Sequence, residues 1–127
     1  MKIEHLDHFV IAVAHVKATS NFYSRVLGAE VLPRESGQHA LRIGDQKIVL
    51  HKVTKVGDPA ARNIASGVSE LCFITSEPLD RVMDHIESFG IEIIEGPVQR
   101  IGAKGPIESI YLYDPDGNLV EIANYLM

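Results

Sequence analysis

The chain of 127 residues has the length of one domain, and it is long enough to bury a hydrophobic core. Its net charge of −5 argues against a nucleic-acid partner, because no basic stripe is present to neutralise phosphates. No apolar run approaches the ~20 residues that span a bilayer. The single cysteine excludes an internal disulfide and is typical of a cytoplasmic protein.

The first half of the chain predicts a strand, a helix and three further strands, the order βαβββ. The first strand alternates between two faces, whereas the helix carries apolar residues at helical spacing and ends at Gly28. A turn at Gly44-Asp45 joins the last two strands into a hairpin. The five elements are expected at residues 5–13, 17–27, 30–32, 39–43 and 47–53.

The second half predicts the same order. Ser76 is a plausible N-cap for its helix, Gly90 ends that helix, and Asp114-Pro115-Asp116-Gly117-Asn118 forms a tight turn. The elements are expected at residues 68–74, 78–89, 91–94, 109–113 and 119–124. Gly, Pro, Asn and Ser residues between the halves indicate a linker. The chain therefore divides into module one (residues 4–54), a linker (residues 55–67) and module two (residues 68–125).

The two halves are related in sequence. An offset of 62 residues aligns residues 6–13 with 68–75 and sets His8 on Glu70, while an offset of 70 aligns residues 39–53 with 109–123 and sets His51 on Glu121. The second half thus carries eight more residues, which are expected within or near the segment from Gly96 to Pro106.

The extra segment holds two cationic side chains, Arg100 and Lys104, among several glycines. A polar insertion of this kind is predicted to be a lid or a substrate-binding loop, and the alternative is an ordinary solvated loop. Arg100 and Lys104 are its candidate substrate contacts.

Four residues are candidate metal ligands: His8, His51, Glu70 and Glu121. Equivalent positions of two related modules converge near their pseudo-two-fold axis, and a polar residue between apolar neighbours on a cleft face must be paired or ligated. Two imidazoles and two carboxylates suit a divalent ion such as Zn²⁺, Ni²⁺, Co²⁺, Mn²⁺ or Fe²⁺. Each could instead be an ordinary hydrogen-bonded residue, and Glu70 could be a general base beside the ion.

Other histidines and the cysteine are assigned more ordinary places. His5, His15 and His85 are expected at surface or capping positions, and His39 is a weaker candidate for the cleft. Cys72 shares the face of Glu70 by strand alternation. It is interpreted as a small buried filler rather than a nucleophile, since no nearby base is evident.

Three segments carry a family resemblance: Leu-Asp-His-Phe-Val-Ile-Ala-Val, Phe-Tyr-Ser-Arg-Val-Leu-Gly and Asp-Pro-Asp-Gly-Asn-Leu-Val-Glu-Ile. With the repeat, they make the chain resemble the vicinal oxygen chelate superfamily of glyoxalases, bleomycin and fosfomycin resistance proteins and extradiol dioxygenases. The lactoylglutathione-lyase-like, glyoxalase-domain-containing members look most similar. The resemblance implies an α+β fold in which two βαβββ modules form a curled mixed sheet around a metal cleft.

The resemblance also implies metal ligands in the first and last strands of each module. Glyoxalase I enzymes usually carry His or Gln, Glu, His and Glu there; this chain has His8, His51, Glu70 and Glu121, so the middle pair is exchanged. Glyoxalase I also commonly has an Arg four residues beyond the first ligand to hold glutathione, and here that residue is Ala12. A divalent metal cofactor is therefore expected, whereas glutathione is doubtful as a cosubstrate.

The leading hypothesis is a metal-dependent lyase or isomerase of the glyoxalase I type. Its small oxygenated substrate, such as a thiol–aldehyde adduct, would chelate the metal, and Glu121 or Glu70 would move the proton. One alternative is an Fe²⁺-dependent extradiol-type dioxygenase that uses His8, His51 and Glu121 as a facial triad. Another is a non-enzymatic ligand-binding or resistance protein. Relatives of this size usually form homodimers, and a homodimer is expected here too.

Overall fold

The computed structural model describes residues 1–34 and 38–126. The contacts divide the chain into two units, unit 1 (Met1–Val68) and unit 2 (Ser69–Met127). Each unit contains one four-stranded mixed sheet and one helix, which confirms the predicted α+β class and the order βαβββ in each half. None of the helices in the described residues is both long and apolar enough to cross a membrane.

Unit 1 is built on a sheet with the strand order β1-β4-β3-β2. Strands β1 and β4 are parallel, and the other neighbours are antiparallel. The elements are β1 (His8–Val13), α1 (Val16–Arg25), β2 (Glu30–Val31), β3 (His39–Ile43) and β4 (Gln46–Lys52).

Helix α1 packs on the apolar side of this sheet, against β2, β3 and β4. Its Tyr23 is fully buried, as are Leu41 and Leu50 from the strands. The helix ends as the sequence predicts, because Gly28 takes a φ of 75°, a left-handed conformation that favours glycine. Burial of this face leaves β1 and β4 to present their other face, which carries His8 and His51.

Unit 2 has the strand order β5-β8-β7-β6, the same arrangement as unit 1. Strands β5 and β8 are parallel, and the remaining pairs are antiparallel. Its elements are β5 (Glu70–Ile74), α2 (Leu79–Ser88), β6 (Glu95–Gly102), β7 (Gly105–Tyr113) and β8 (Leu119–Tyr125).

The start of α2 differs from the prediction. Pro78, not Ser76, occupies the N-cap position, and it has no side-chain donor or acceptor to offer. The amide of Leu79 instead donates to Oδ1 of Asn124 at 3.2 Å, and Nδ2 of Asn124 donates to the carbonyls of Thr75 and Glu77. A side chain from β8 therefore caps the helix.

The prediction of a loop between Gly96 and Pro106 is wrong. The segment forms most of the hairpin of β6 and β7, closed by a short turn at Ala103 and Lys104, while the strand expected at residues 91–94 is absent from that described stretch. Six residue pairs hold the hairpin, with a register shift between Glu95 and Val98. The pairing satisfies backbone groups that a loop would leave to water, so this polar segment folds as sheet.

The turn from β7 to β8 is confirmed at residues 114–118. Oδ1 of Asp114 accepts hydrogen bonds from the amides of Asp116 and Asn118, both at 2.9 Å, and Oδ2 accepts one from Nδ2 of Asn118 at 2.8 Å. Oδ1 of Asn118 then accepts the amide of Ser69 at 2.9 Å. The turn is thereby tied to the residue that precedes β5.

We expect the substitution Gly96→Ala to destabilise unit 2. A Cβ at Gly96 would lie 2.4 Å from the backbone oxygen of Ser109, and the φ of 113° is already strained for any other residue. The free energy of unfolding, measured with urea, should fall by about 1–3 kcal/mol or more. Gly57→Ala is the control, because its Cβ meets nothing within 4 Å. Equal stability of the two variants would contradict the steric role of Gly96.

Candidate functional site

A cluster of polar side chains lies on one face of the unit 2 sheet, and Glu121 is at its centre. The register pairs Glu121 on β8 with Cys72 on β5 and with Tyr111 on β7. Residues paired across neighbouring strands point to the same face. The carboxylate is therefore flanked by a thiol on one side and a phenol on the other.

Ser109 fixes the carboxylate of Glu121. It lies two residues before Tyr111 on β7 and so shares its face. The Oγ of Ser109 donates to Oε2 of Glu121 at 2.5 Å, and Ser109 itself is fully buried. A charge-assisted hydrogen bond from a buried donor restricts the carboxylate to one orientation.

Cys72 is held in its neutral thiol form. Loss of hydration around the sulfur, followed by the charge of Glu121 and a hydrogen bond to it, raises the pKa of Cys72 to about 11. The residue is exposed at the surface, so the expectation of a buried filler is wrong. A thiol with this pKa is a poor nucleophile at neutral pH.

Tyr111 connects the cluster to the hairpin. Nε of Arg100 donates to the hydroxyl of Tyr111 at 3.1 Å, and the guanidinium lies over the ring at 5.6 Å from its centre. Burial, with a smaller contribution from Glu121, raises the pKa of Tyr111, although Arg100 opposes the shift. Arg100 also lies 3.7 Å from Glu95, which balances its charge.

These side chains line a cavity of about 420 Å³ in unit 2. Its polar lining includes Cys72, Tyr111 and Glu121, and its apolar lining includes Ile74 and Ile107. A few polar groups that converge in a partly apolar pocket are typical of small-molecule sites. The cavity offers one anionic base and two neutral hydrogen-bond donors.

The other predicted residues of unit 2 differ in their distance from this cluster. Glu70 is exposed at the start of β5, on the face of Cys72, and the register places it two residues, about 7 Å of strand, from the level of Glu121. Arg100 lines the cavity, and the amide of Lys104 donates to the hydroxyl of Tyr125, which also lines it. Glu70 and Arg100 belong to β5 and β6, the two edge strands of the sheet, so they are not neighbours of each other.

The predicted histidines of unit 1 are not neighbours. The register pairs His8 with Lys47 and His51 with Ala12, four residues further along β1. The two histidines share a face but are separated by about 13 Å of strand.

The register also revises how the repeat aligns. The first pair of the parallel ladder involves Lys47 on β4 in unit 1 and Leu119 on β8 in unit 2. Two residues further along these strands lie Val49 and Glu121. Val49, and not His51, therefore occupies the position that matches Glu121. The offset of 70 misses this because the turn before β4 has two residues and the turn before β8 has five.

The donor types suit a divalent ion, but their placement does not assemble a ready site. Within residues 1–34 and 38–126, no three or more His, Cys, Asp or Glu side chains form a group that could hold a metal ion. His8 is engaged locally, since its Nδ1 lies 2.7 Å from Oδ2 of Asp7. The carboxylate of Glu121 is engaged with Ser109.

Two residues of the cluster were missed at the sequence level, Ser109 and Tyr111. The offset of 70 aligns Ser109 with His39, which pairs with Leu50 on β4 of unit 1. The period-2 alternation of β7 was the available signal, since it places Ser109 and Tyr111 on one face. The alternation does not give the register between β7 and β8, which is needed to place these two residues beside Glu121.

A family model described as Glyoxalase/Bleomycin resistance protein/Dioxygenase superfamily matches residues 5–122. The chain is 44% identical to "Virulence protein STM3117" of Salmonella typhimurium, covering 99% of this chain and 88% of that protein. It is 41% identical to "Glyoxalase domain-containing protein RDO1" of Mycosarcoma maydis, covering 98% and 70%. The solved structure of integron cassette protein VCH_CASS1 of V. cholerae is 48% identical, with a TM-score of 0.95 over 99% and 98% of the two chains.

We expect Glu121→Gln to make Cys72 more reactive. Loss of the neighbouring negative charge lowers the thiol pKa, so the thiolate fraction at pH 8 should rise roughly three- to ten-fold. Iodoacetamide alkylation followed by mass spectrometry reports this rate cleanly, because Cys72 is the only cysteine.

The matched control for this change is Glu108→Gln. Glu108 lies beside Ser109 on β7 and points to the opposite face of the sheet. It should leave the alkylation rate unchanged. If Glu121→Gln and Glu108→Gln are alkylated at the same rate, the charge of Glu121 does not raise the pKa of Cys72.

Proposed function

The chain belongs to the Glyoxalase/Bleomycin resistance protein/Dioxygenase superfamily, and we propose that it is a metal-dependent enzyme of the glyoxalase I type. Its reaction would move a proton between adjacent carbons of a small oxygenated substrate. The observation that carries this proposal is the Glu121 carboxylate, oriented by Ser109 in the unit 2 cavity.

Glu121 is the proposed general base. An efficient base must be held within reach of the proton it removes, and Ser109 supplies that restraint through Oε2. The neighbouring thiol and phenol stay protonated at neutral pH because the pKa of Cys72 and that of Tyr111 are raised. They donate hydrogen bonds without adding negative charge, so the carboxylate is the one anion at the centre of the cluster.

The hairpin supplies the proposed substrate contact. Arg100 lines the cavity and is steadied by Tyr111 and Glu95. Its guanidinium would bind an oxygen of the substrate, for which its fixed fork of donors is suited. This replaces the flexible lid expected from the sequence with a rigid strand position. Lys104, in the turn of the hairpin, remains a weaker candidate contact.

A divalent ion is part of the proposal and rests on the family resemblance and on the donor chemistry. Glu70 and Glu121 share one sheet face, and His8 and His51 are the imidazoles proposed to complete the set. When bound, such an ion supplies Lewis-acid stabilisation of negative charge on substrate oxygens.

We expect Glu121→Gln to reduce turnover by about 100-fold to 10,000-fold, the usual contribution of a general base. The assay is spectrophotometric, with methylglyoxal and glutathione, and then with other thiol–aldehyde adducts. Glu108→Gln should retain wild-type turnover. Full activity of Glu121→Gln would refute the assignment of the base, and oxygen consumption on a catechol would indicate the dioxygenase alternative.

Metal content gives an independent test. Elemental analysis of the purified protein should find about one divalent ion per chain. The substitutions His8→Ala and Glu121→Ala should each abolish binding while circular dichroism shows that the fold survives. A fully loaded double variant would remove both residues from the ligand set. The metal content of His51→Ala then shows whether that histidine binds the ion. The homodimer expected from the sequence stays a prediction.

A further inference from the structure

Unit 1 contains a cavity of its own, at some distance along β4 from its strand start. Its volume is about 780 Å³, and it lies where β4 ends and α1 begins. The parallel pairing brings Lys52, the last residue of β4, beside Val13, and α1 starts three residues later at Val16. The carboxyl ends of two parallel strands and a helix N-terminus therefore meet at this cavity.

The lining of this cavity is strongly basic. Four of its residues carry a full positive charge at neutral pH: Lys17, Arg34, Lys52 and Lys55. The described lining residues include no Asp or Glu, although the chain as a whole has a net charge of −5. Four cations around one cavity repel each other, and a bound anion would relieve that repulsion.

The lysines of this lining are not neutralised within the described part of the chain. Two ion pairs of unit 1 join His8 with Asp7 and Arg42 with Glu30, and neither involves a lysine of the lining. Lys17, Lys52 and Lys55 are therefore available to an incoming ligand. This distinguishes the cavity from the unit 2 site, where Glu95 balances Arg100.

The start of α1 adds donors on the same side. His15 occupies the N-cap position, but its side chain makes no capping hydrogen bond, and no acidic residue lies in the first turn. The amides of the first turn consequently point at the cavity edge formed by Val16 and Lys17. Such amides favour anions, and here they act together with the basic side chains.

Two further features fit an organic ligand that carries an oxyanion. The pKa of His39 is lowered by burial and then by the charge of Arg34, which agrees with a positive field inside the cavity. Buried Leu50 contributes an apolar part of the lining. The volume falls within the range of small-molecule sites, so there is room for more than the anion itself.

We propose that this cavity of unit 1 is a binding site for a small organic phosphate. A phosphate oxyanion suits the combination of lysines and helix amides. His51 lines the same cavity, which gives this histidine a place that does not depend on a metal ion. The inference goes beyond the proposed reaction and rests on the lysines of the lining rather than on His51.

The test is calorimetric titration of the full chain with glycerol 2-phosphate and with inorganic phosphate, at constant ionic strength in chloride. The wild-type protein should bind the ester with saturation, and inorganic phosphate should compete. The double substitution Lys52→Ala with Lys55→Ala should weaken binding at least about ten-fold, since two charge-assisted contacts are lost.

The matched control is Arg62→Ala with Arg81→Ala, which removes two exposed positive charges outside the cavity. It should bind phosphate as the wild type does. Equal weakening in both double variants would show a general charge effect and overturn the site. Absence of saturable phosphate binding at millimolar concentration, or binding of succinate in preference to phosphate, would overturn the ligand class. Circular dichroism and urea unfolding verify that each variant is folded.

Discussion

The side chain of Asn118 sets the geometry on which the unit 2 site depends. It is almost fully buried, its Oδ1 accepts the amide of Ser69, and its Nδ2 donates to Asp114. Leu119 and Ser69 are also joined through their backbones. These bonds fix the first pair of the parallel ladder, and every later pair follows, including the one that puts Cys72 beside Glu121. A slip of one residue would turn each side chain to the other face, so a polar turn outside the cluster determines which groups meet in it.

The two units use one topology for different chemistry. Each has a parallel pair at the edge, one helix and an antiparallel hairpin. The unit 1 ladder places Val49 where unit 2 has Glu121, and the basic residues gather instead at the strand ends. In unit 2 the long hairpin adds Arg100 beside the carboxylate. Because a fold does not dictate a function, the difference lies in which register positions carry polar side chains.

Much of the fold could be predicted from local patterns, and much of the site could not. Alternation and glycine terminators located most strands and both helix ends, because these signals lie within a few residues. The cap of α2 was missed because Asn124 comes from β8, far along the chain. The hairpin of β6 was missed because its polar composition resembles a loop. Glu121 was found from sequence, but Ser109 and Tyr111 required the register between β7 and β8, which no local pattern contains.

The protonated state of Cys72 has a consequence for the oxidation of this side chain. With a pKa of about 11, only about one molecule in ten thousand carries the thiolate at pH 7, and peroxide attacks the thiolate. An exposed cysteine that lines a cavity would otherwise be a target for sulfenic acid formation and for mixed disulfides. Loss of hydration around the sulfur and, after it, the carboxylate of Glu121 keep the pKa of Cys72 high, so the residue proposed as the base also lowers the reactivity of the neighbouring thiol.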